Sequence, residues 1–391
     1  MSLVAKAHGI DGTLVEPDWP PLTLIEVRHL LDQYPDRFAP LRILSVSPRP
    51  FSAAVVVQTR SGKIFIKRHH RAVRDREGLM EEHRFMAYLR ARGAPVPRVI
   101  EADSGLSALE LNDWTYEVHE TPPGTDLYEE AISWTPFRSV AHARSAGRLL
   151  AKLHLASEGY TAPPRKIQPL VASFSIFAAD DPAAAMAKYL DDHPVLGRDA
   201  ETRTHSARAL ELLAPFHGEL RPFLPALTPL WTHNDLHGSN LFWSDATDQA
   251  EAVAIIDFGL ADRTNAVHDL AHAIERSIVE WLVLVQHPSL PDDVPVHLDH
   301  LFALLDGYEQ VRPLSPEQAA ALAPMTALCH AEFALTEADY FLGVLHSREK
   351  TEIATGGYLV SHARWFHSVS GRRLLDALRE WANRHARVIA R

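Results

Sequence analysis

The residue pattern of this chain changes at Pro122-Pro123-Gly124, and this change limits the possible folds more than any other feature of the sequence. Before it lie short runs rich in β-branched residues, separated by turn-like segments, which are typical of antiparallel strands. One helix is predicted among them at 75–92, where Leu79, Met86 and Leu89 share a face. The predicted strands are 41–46, 53–58, 63–67, 107–111 and 114–119. We therefore expect a small antiparallel sheet accompanied by a helix.

Beyond Gly124 the hydrophobic periodicity is helical, with one exception. The segments 232–243 and 252–257 predict a polar loop between short apolar strands, directly before another helix. Pro324 predicts a break between two helices, because proline lacks the N–H that a helix interior needs. The predicted helices are 141–157, 182–190, 201–215, 266–285, 298–311, 316–322, 325–342 and 371–390. The pattern indicates an α+β chain whose domains are an N-terminal extension (1–40), a sheet-rich N-lobe (41–121) and a large helical C-lobe (122–391).

Charge and cysteine content restrict the partners and the compartment. The 39 Lys and Arg residues against 50 Asp and Glu give a formal net charge of −11, so a nucleic acid partner is not expected. Cys329 is the single cysteine, which excludes an internal disulfide. Residues 1–18 lack a signal-peptide pattern, and the most apolar run, 281–285, is far below the roughly 18 residues of a membrane span. We expect a cytoplasmic protein with no membrane partner, and its oligomeric state stays open.

The segment His233-Asn234-Asp235-Leu236-His237-Gly238-Ser239-Asn240 carries the strongest chemical signal, together with Asp257 at the end of an apolar run. An acid, an amide five residues later and a second acid are the groups that metal-assisted phosphoryl transfer requires. Asp235 is the candidate to orient an attacking hydroxyl and accept its proton. Asn240 and Asp257 offer the hard oxygen ligands that Mg²⁺ prefers. The alternative is that these side chains only cap turns and helices, the commoner role of a single Asp or Asn.

These residues resemble the aminoglycoside phosphotransferase and choline/homoserine kinase group of the protein-kinase-like superfamily. The group's pattern His-x-Asp-x-x-x-x-Asn matches His233, Asp235 and Asn240, and its Ile-Asp-Phe matches 256–258. An Asp-Leu-Ala also follows, at Asp269, twelve positions after the metal-binding Asp (269 − 257). The resemblance covers about residues 41–281. It implies a bilobal protein-kinase-like fold, ATP and Mg²⁺ as cofactors, catalysis by Asp235, and a small molecule with a hydroxyl group as acceptor.

The resemblance further implies an ATP-anchoring lysine on a strand and a glutamate partner on the next helix. Lys67 ends the run 63–67 and is the predicted anchor. Glu77, Glu81 and Glu82 compete as its partner, and helical spacing places Glu82 on the inward face. An ion pair between Lys67 and Glu82 is therefore expected.

Four supporting positions complete the prediction. The hairpin turn before the second strand has no glycine, and Ser52 at its end is the candidate phosphate contact. Glu120, in the linker between the lobes, is the candidate contact to adenine, since the two prolines that follow shortly after it have no N–H. His233 and Asp269 are expected to brace the catalytic loop.

Three other interpretations compete with a small-molecule kinase. His268 and His272 lie at i and i+4 on a helix, as in zinc hydrolases, but Asp269 stands where such enzymes have a glutamate. An atypical Ser/Thr protein kinase would explain Asp257-Phe258-Gly259, but no Ala-Pro-Glu follows before residue 269. A catalytically silent regulator is disfavoured because all the motif residues are present. The acceptor stays open among aminoglycosides, amino alcohols and hydroxy amino acids, with acids such as Glu275, Glu280, Glu332 and Asp339 as candidates to bind an amine.

Overall fold

The protein is described here by a computed structural model, which covers residues 7–8 and 14–389. The chain forms two units. The first runs to Gly124 and includes the short segment Ala254–Ile256, where the Ile255 amide donates to the Pro95 carbonyl. The second comprises 125–253 and 257–391. Among the described residues, each helix is too short or too polar to cross a lipid bilayer.

The first unit is built on a five-stranded antiparallel sheet of order β3-β4-β5-β7-β6. All five predicted strands are confirmed, and the third of them extends three residues past Lys67. Strands β1 and β2 form a separate antiparallel pair. The strands are β1 Ala7–His8, β2 Leu14–Val15, β3 Pro40–Val46, β4 Ala53–Thr59, β5 Gly62–His70, β6 Ala108–Leu111 and β7 Trp114–Glu120.

The two faces of this sheet are covered differently. On one face Ile64 and Ile66 are buried in an apolar cluster with Val27 and Leu30 of helix α1 (Leu24–Leu31). Phe65 and Lys67 alternate with them along β5, as predicted, and are only half-buried. The pleat of a strand therefore separates the apolar core from the lysine face.

Helix α2 (Arg76–Ala91) confirms the helix predicted at 75–92, and the Asp75 carboxylate caps it by accepting from the Gly78 amide. Glu82 is buried on the same helix face as Leu79 and Met86. Glu77 is exposed and Glu81 is half-buried. Periodicity thus identified which of the three glutamates points inward.

The second unit is mainly helical, with short strands around the catalytic loop. Its helices are α3 Val140–Ser157, α4 Pro182–Asp192, α5 Pro194–Arg198, α6 Ala200–Leu220, α7 Ala266–Ile278, α8 Trp281–Gln286, α9 Leu298–Glu309, α10 Pro316–Leu328, α11 His330–Asp339, α12 Arg348–Glu352, α13 Ser361–Trp365 and α14 Val369–Ile389, with π-helical turns at Tyr340–Val344 and Ile353–Val360. Its strands are β8 Pro229–Thr232, β9 Leu241–Trp243, β10 Ala252–Ile255 (which ends within the first unit) and β11 Asp262–Asn265, and β8 pairs with β11.

Three predicted helix boundaries are wrong. The helix predicted at 201–215 continues past Pro215, and α6 ends at Leu220. Pro324 does not end a helix: α10 continues through it to Leu328, and Pro324 is buried where α10 packs against α7 and α14. The apolar surface that α10 buries against these two helices offsets the one hydrogen bond that a proline removes. The helix predicted at 266–285 is instead two helices, α7 and α8. The chain turns after Ile278, whose carbonyl accepts from the His297 amide.

Helices α3 and α9 approach each other closely because each has a glycine at the crossing. A Cβ added at Gly147 would lie 2.0 Å from the Leu304 carbonyl oxygen, and one added at Gly307 would lie 2.0 Å from that of Arg144. Neither position can therefore carry a side chain without moving a backbone. This contact holds α3 and α9 together beside the catalytic loop.

Candidate active site

The candidate catalytic loop, residues 233–240, is anchored at its start by the buried carboxylate of Asp269, the fourth residue of α7. Its Oδ2 accepts from the His233 amide at 2.9 Å, and its Oδ1 accepts from the Asn234 amide at 2.7 Å. Burial alone would raise the pKa of Asp269, but the hydrogen bonds and charges of His154 and His233 outweigh it and lower the pKa. Asp269 is thus an ionised group that holds the backbone of the loop.

A buried hydrogen-bond relay from two other helices orients Asp269. The hydroxyl of Tyr308, on α9, lies 2.8 Å from His154 Nδ1. His154 Nε2, on α3, lies 2.9 Å from Asp269 Oδ2. Burial lowers the pKa of His154 despite the neighbouring carboxylate. Sequence reasoning missed both residues, because only the crossing of α3 with α9 brings them to Asp269.

Asn234 shapes the loop between these anchors. Its φ is 62°, a left-handed conformation that Asn tolerates better than most residues. Its amide nitrogen donates to the carbonyls of Ala172 and Leu260, both at 3.2 Å. Its side-chain oxygen accepts from the hydroxyls of Thr232 (2.9 Å) and Thr264 (3.1 Å). Every polar atom of the side chain is used, so this buried residue determines where the next one, Asp235, points.

Asp235 lies between an amide and a guanidinium. Asn240 Nδ2 donates to its backbone oxygen at 2.9 Å and to its Oδ2 at 3.0 Å. Arg276 Nη1 donates to its Oδ1 at 2.5 Å. The Asp235 amide donates to His233 Nδ1 at 3.2 Å. The predicted loop residues Asp235, Asn240 and His233 are therefore brought together by direct contacts.

Arg276 is the main residue of the candidate site that the sequence prediction missed. It is 1% exposed, and its guanidinium packs on the rings of Phe333 and Trp134. It follows Asp269 by seven positions (276 − 269), so both lie on one face of α7, two turns apart. This spacing was the signal available in the sequence. Because Asp269 contacts the loop backbone, a residue two turns later on the same face can contact the Asp235 side chain.

Loss of Arg276 should change the pH dependence of turnover. Burial raises the pKa of Asp235, and the positive charge of Arg276 opposes that rise. In Arg276→Met the pKa of Asp235 therefore rises further, and the ionised carboxylate that the predicted base role requires forms only at higher pH. We expect the acidic limb of the kcat–pH profile to move up by about 1–3 units. A profile from pH 5.5 to 9 measures this shift.

Arg263→Met is the matched control, because Arg263 is exposed. Its profile should match that of the wild type. If Arg276→Met lowered kcat equally at every pH, Arg276 would support the fold without tuning Asp235.

Asp257 lies two residues after the end of β10 and has a φ of 61°. Its Oδ1 accepts from the Gly259 amide at 3.4 Å, and its charge is close enough to raise the pKa of Asp235. Arg165 holds the following residues by donating to the carbonyls of Gly259 and Ala261. The Asn240 nitrogen is engaged with Asp235, so the amide oxygen is the atom of this side chain suited to a metal ion. An amide oxygen and a carboxylate near a second carboxylate fit a hard divalent cation such as Mg²⁺.

Further acids lie near Arg276. Glu337 and Glu275 are both buried, and burial raises the pKa of each, to about 8 for Glu337. The charge of Asp235 also raises the pKa of Glu337, which places that carboxyl near the candidate base. We call Asp235, Glu275, Arg276 and Glu337 the Arg276 cluster.

Other acids suggested for acceptor binding have structural partners. Glu332 accepts from the hydroxyls of Ser173 and Ser175 and from the amides of Ser175 and Ile176. Asp339 contacts His193, and Glu280 contacts His297. Glu275 also has a structural partner, since its Oε1 lies 3.3 Å from His362 Nδ1, and the charge of Arg276 acts on it.

The predicted nucleotide residues lie in the first unit. Lys67 on β5 is directly opposite Glu117 on β7, and Ala54 on β4 is opposite Lys67 on its other side. Ser52 is buried just before β4. The Glu120 amide donates to the Arg98 carbonyl at 2.9 Å, so its backbone nitrogen is engaged and only its carbonyl is suited to contact adenine.

The histidines of the zinc-hydrolase interpretation are packed inside the second unit. His268 and His272 are both fully buried on α7, and His268 Nδ1 lies 3.3 Å from Asn234 Oδ1. Burial lowers the pKa of His268 to about 3. Within the described part of the chain, the His, Cys, Asp and Glu residues placed to share one metal ion do not include this pair.

Comparison with known proteins identifies the family. A model of the phosphotransferase enzyme family matches residues 50–314, more than half of the chain. The chain belongs to this family. A homoserine kinase of Caulobacter vibrioides is 26% identical over 298 residues, which are 76% of this chain and 81% of the relative. A homoserine kinase of Gluconobacter oxydans is 26% identical over 290 residues, 72% of this chain and 77% of the relative. The protein is a phosphotransferase that acts on a hydroxyl group of a small molecule, as the sequence predicted.

Solved structures support the fold of this phosphotransferase. The structure of a microcompartment-associated aminopropanol kinase has a TM-score of 0.58 at 20% identity, over 90% of this chain and 100% of the other. An amicoumacin kinase in complex with AMP-PNP, Ca²⁺ and Ami has a TM-score of 0.54 at 13% identity, over 87% and 92% of the two chains. At these identities the likeness concerns the fold alone. The α+β protein-kinase-like fold predicted from the sequence is confirmed.

Proposed function

We propose that this phosphotransferase transfers the γ-phosphoryl group of ATP, with Mg²⁺, to a hydroxyl of a small acceptor that carries an amine. The observation that carries the proposal is the arrangement around Asp235: Asn240 and Arg276 contact its carboxylate, and the charge of Asp257 acts on it. Phosphoryl transfer needs little more from a protein than positioned charges and a positioned hydroxyl. This arrangement supports Asp235 as the base with a cation beside it, and Asn240 and Asp257 as oxygen ligands for a metal.

Each residue of the loop has a distinct proposed role. The Asp235 carboxylate aligns the acceptor hydroxyl and takes its proton. The Asn240 amide oxygen and the Asp257 carboxylate hold Mg²⁺, which neutralises charge on the phosphates when it is bound. His233 and Asp269 keep the loop backbone in place through the contacts described above.

In the first unit, Lys67 is proposed to bind the α- and β-phosphates, with Glu82 as its partner. Ser52 is proposed to contact phosphate, and the carbonyl of Glu120 to contact the adenine edge. Residues 41–121 are accordingly proposed as the nucleotide-binding lobe. Residues 122–391 are proposed to hold the metal and the acceptor. We propose that the reaction takes place in the cytoplasm.

Lys67→Met tests the nucleotide half of the proposal. The variant keeps a chain of similar length but loses the charge that would meet the phosphates, so kcat/KM for ATP should fall by at least about tenfold, the loss of one charge-assisted hydrogen bond. Lys63→Met is the matched control, since Lys63 is an exposed lysine of the same strand. Steady-state kinetics with varied ATP measure both variants. Equal values of kcat/KM for ATP in the two would contradict the assignment of Lys67.

The Arg276 cluster favours an amine-bearing acceptor. It contains three carboxyl groups and one cation, and that cation already pairs with Asp235. An ammonium group near Glu337 would stabilise its ionised form, so binding of an amine should release a proton near neutral pH. Arg276 Nε and Nη2 have no hydrogen-bond partner among the described residues, and they are suited to a carboxylate. A hydroxy amino acid combines both groups, and the relatives named homoserine kinase make homoserine the first acceptor to test.

The decisive experiment measures ADP formation with ATP, Mg²⁺ and a panel of acceptors. The panel contains homoserine, serine, aminopropanol, an aminoglycoside, an alcohol without an amine, and a protein substrate. The proposal expects turnover of an amine-bearing alcohol, with a KM that falls between pH 6 and pH 8, and no such change for the plain alcohol. Turnover of the protein substrate alone would favour the protein-kinase interpretation instead.

A further inference from the structure

The first unit contains a buried cluster of three histidines and one glutamate that the proposed kinase reaction does not use. We call it the His–Glu cluster: His69 on β5, His83 on α2, and Glu117 and His119 on β7. All four are less than 9% exposed. Buried ionisable groups in such number need a specific interaction to offset their lost hydration.

The contacts within the His–Glu cluster converge on the Glu117 carboxylate. His83 Nε2 lies 2.9 Å and His119 Nε2 lies 2.7 Å from its Oε2. His69 Nε2 lies 2.9 Å from its Oε1. The ligand atoms of His83, Glu117 and His119 all lie within 4.8 Å of one another. Two imidazole nitrogens and one carboxylate oxygen therefore lie close enough together to share one metal ion.

We infer that His83, Glu117 and His119 bind a divalent transition metal ion, with Zn²⁺ as the best match. Two histidines and a carboxylate are an established ligand set for zinc, with a water in the fourth position. The residues come from a helix and a strand, which are rigid supports for a site. This site is distinct from the Mg²⁺ ligands proposed in the catalytic loop, because its residues belong to the other unit.

Hydrogen bonds hold the Glu117 carboxylate from both sides. His83 and His119 contact Oε2, and His69 contacts Oε1, the oxygen that the metal does not take.

Ser107 supplies the support that metal-bound histidines usually have. Its hydroxyl lies 3.0 Å from His83 Nδ1, the ring atom that faces away from Glu117. A hydroxyl accepts from an Nδ1–H as readily as it donates to a bare nitrogen, so His83 can take the tautomer that frees Nε2 for metal. Ligand atoms at about 2.0–2.1 Å from a tetrahedral ion lie roughly 3.3 Å apart. The present contacts of His83 and His119 with Glu117 would open by about half an ångström.

The position of the site connects it to nucleotide binding. His83 directly follows Glu82, and Glu117 lies opposite Lys67 across the sheet. A metal ion there would tie α2 to β7 and hold the two residues of the predicted ion pair in place. This consequence rests on the proposed function, whereas metal binding itself does not.

Metal binding is tested on the full chain without nucleotide. After removal of metal with a chelator, Zn²⁺ is titrated in competition with a chromophoric chelator, and Co²⁺ is titrated by its visible absorption. We expect one equivalent to bind, and His83→Ala/His119→Ala to weaken binding by at least 100-fold. Ser107→Ala and His69→Ala should weaken it by about 10- to 100-fold, as outer-shell partners do. The KM for ATP should rise in the metal-free wild type if the proposed nucleotide role of Lys67 is also correct.

Two controls locate the ion. Asp257→Asn removes a proposed Mg²⁺ ligand and should leave zinc binding unchanged. His268→Ala/His272→Ala removes the other histidine pair and should also leave it unchanged. Absence of stoichiometric binding to the wild type would overturn the inference, as would binding that survives loss of His83 and His119. If His83→Ala/His119→Ala does not fold, X-ray absorption of the zinc-loaded His268→Ala/His272→Ala protein counts the histidines bound to zinc. Two histidine ligands support the site, and fewer exclude it.

Discussion

Asp235→Asn is expected to lower kcat by a factor of about 10²–10⁴, the usual contribution of a positioned general base. The variant keeps the shape of the side chain and one acceptor oxygen, but it has no carboxylate to take the proton of the acceptor hydroxyl. Asn240 and Arg276 contact the Asp235 carboxylate, so the change acts at the centre of the loop. Steady-state kinetics with an identified acceptor measure the loss, and calorimetric titration with a non-hydrolysable ATP analogue measures nucleotide binding.

Nucleotide binding should change little in Asp235→Asn, because the phosphates and the metal are assigned to other residues. Asp248→Asn is the control, since Asp248 is an exposed residue of the same unit and should behave as the wild type. Activity within tenfold of the wild type in Asp235→Asn would refute the assignment of the base. A loss of nucleotide binding as large as the loss of turnover would instead indicate that the loop had collapsed.

Asp269→Asn should have the largest effect on stability, lowering the free energy of unfolding by about 2–5 kcal/mol. The Asp269 carboxylate is fully buried and accepts from the His233 amide, the Asn234 amide and the His154 ring. An Asn side chain replaces one acceptor oxygen by an NH₂ group, which then faces donors. Urea unfolding at pH 7 measures the change, and kcat should fall as well because the loop loses its anchor.

The effect of Asp269→Asn should depend on pH in a definite direction. Because the folded-state pKa of Asp269 is lowered, its contribution is present above the unfolded value of about 3.9 and is lost as pH falls through the folded value. The difference between the variant and the wild type should therefore narrow below about pH 4. A difference that stays constant as the pH falls would show that packing, and not the charge of Asp269, is responsible.

Much of the fold followed from local patterns. The alternation of Ile64 and Ile66 with Phe65 and Lys67, and the helical spacing around Glu82, were visible in the sequence because they depend on one element at a time. Pro324 shows where this approach fails. Its local preference is to end a helix, but burial against two neighbouring helices outweighs that preference.

The candidate site likewise combines local contacts, which the sequence predicts, with contacts between distant residues, which it does not. The sequence by itself identified the residues of the candidate catalytic loop, because Asp235 and Asn240 are only five positions apart and contact each other within the loop. It did not reveal that Arg276 contacts Asp235 from 41 positions away. Nor did it reveal that Tyr308 contacts His154 across 154 positions, or that His154 contacts Asp269 across 115. It also did not show that His69, His83 and His119 meet at Glu117. Such contacts depend on how helices and strands pack, and only the tertiary structure decides which distant side chains share one buried space.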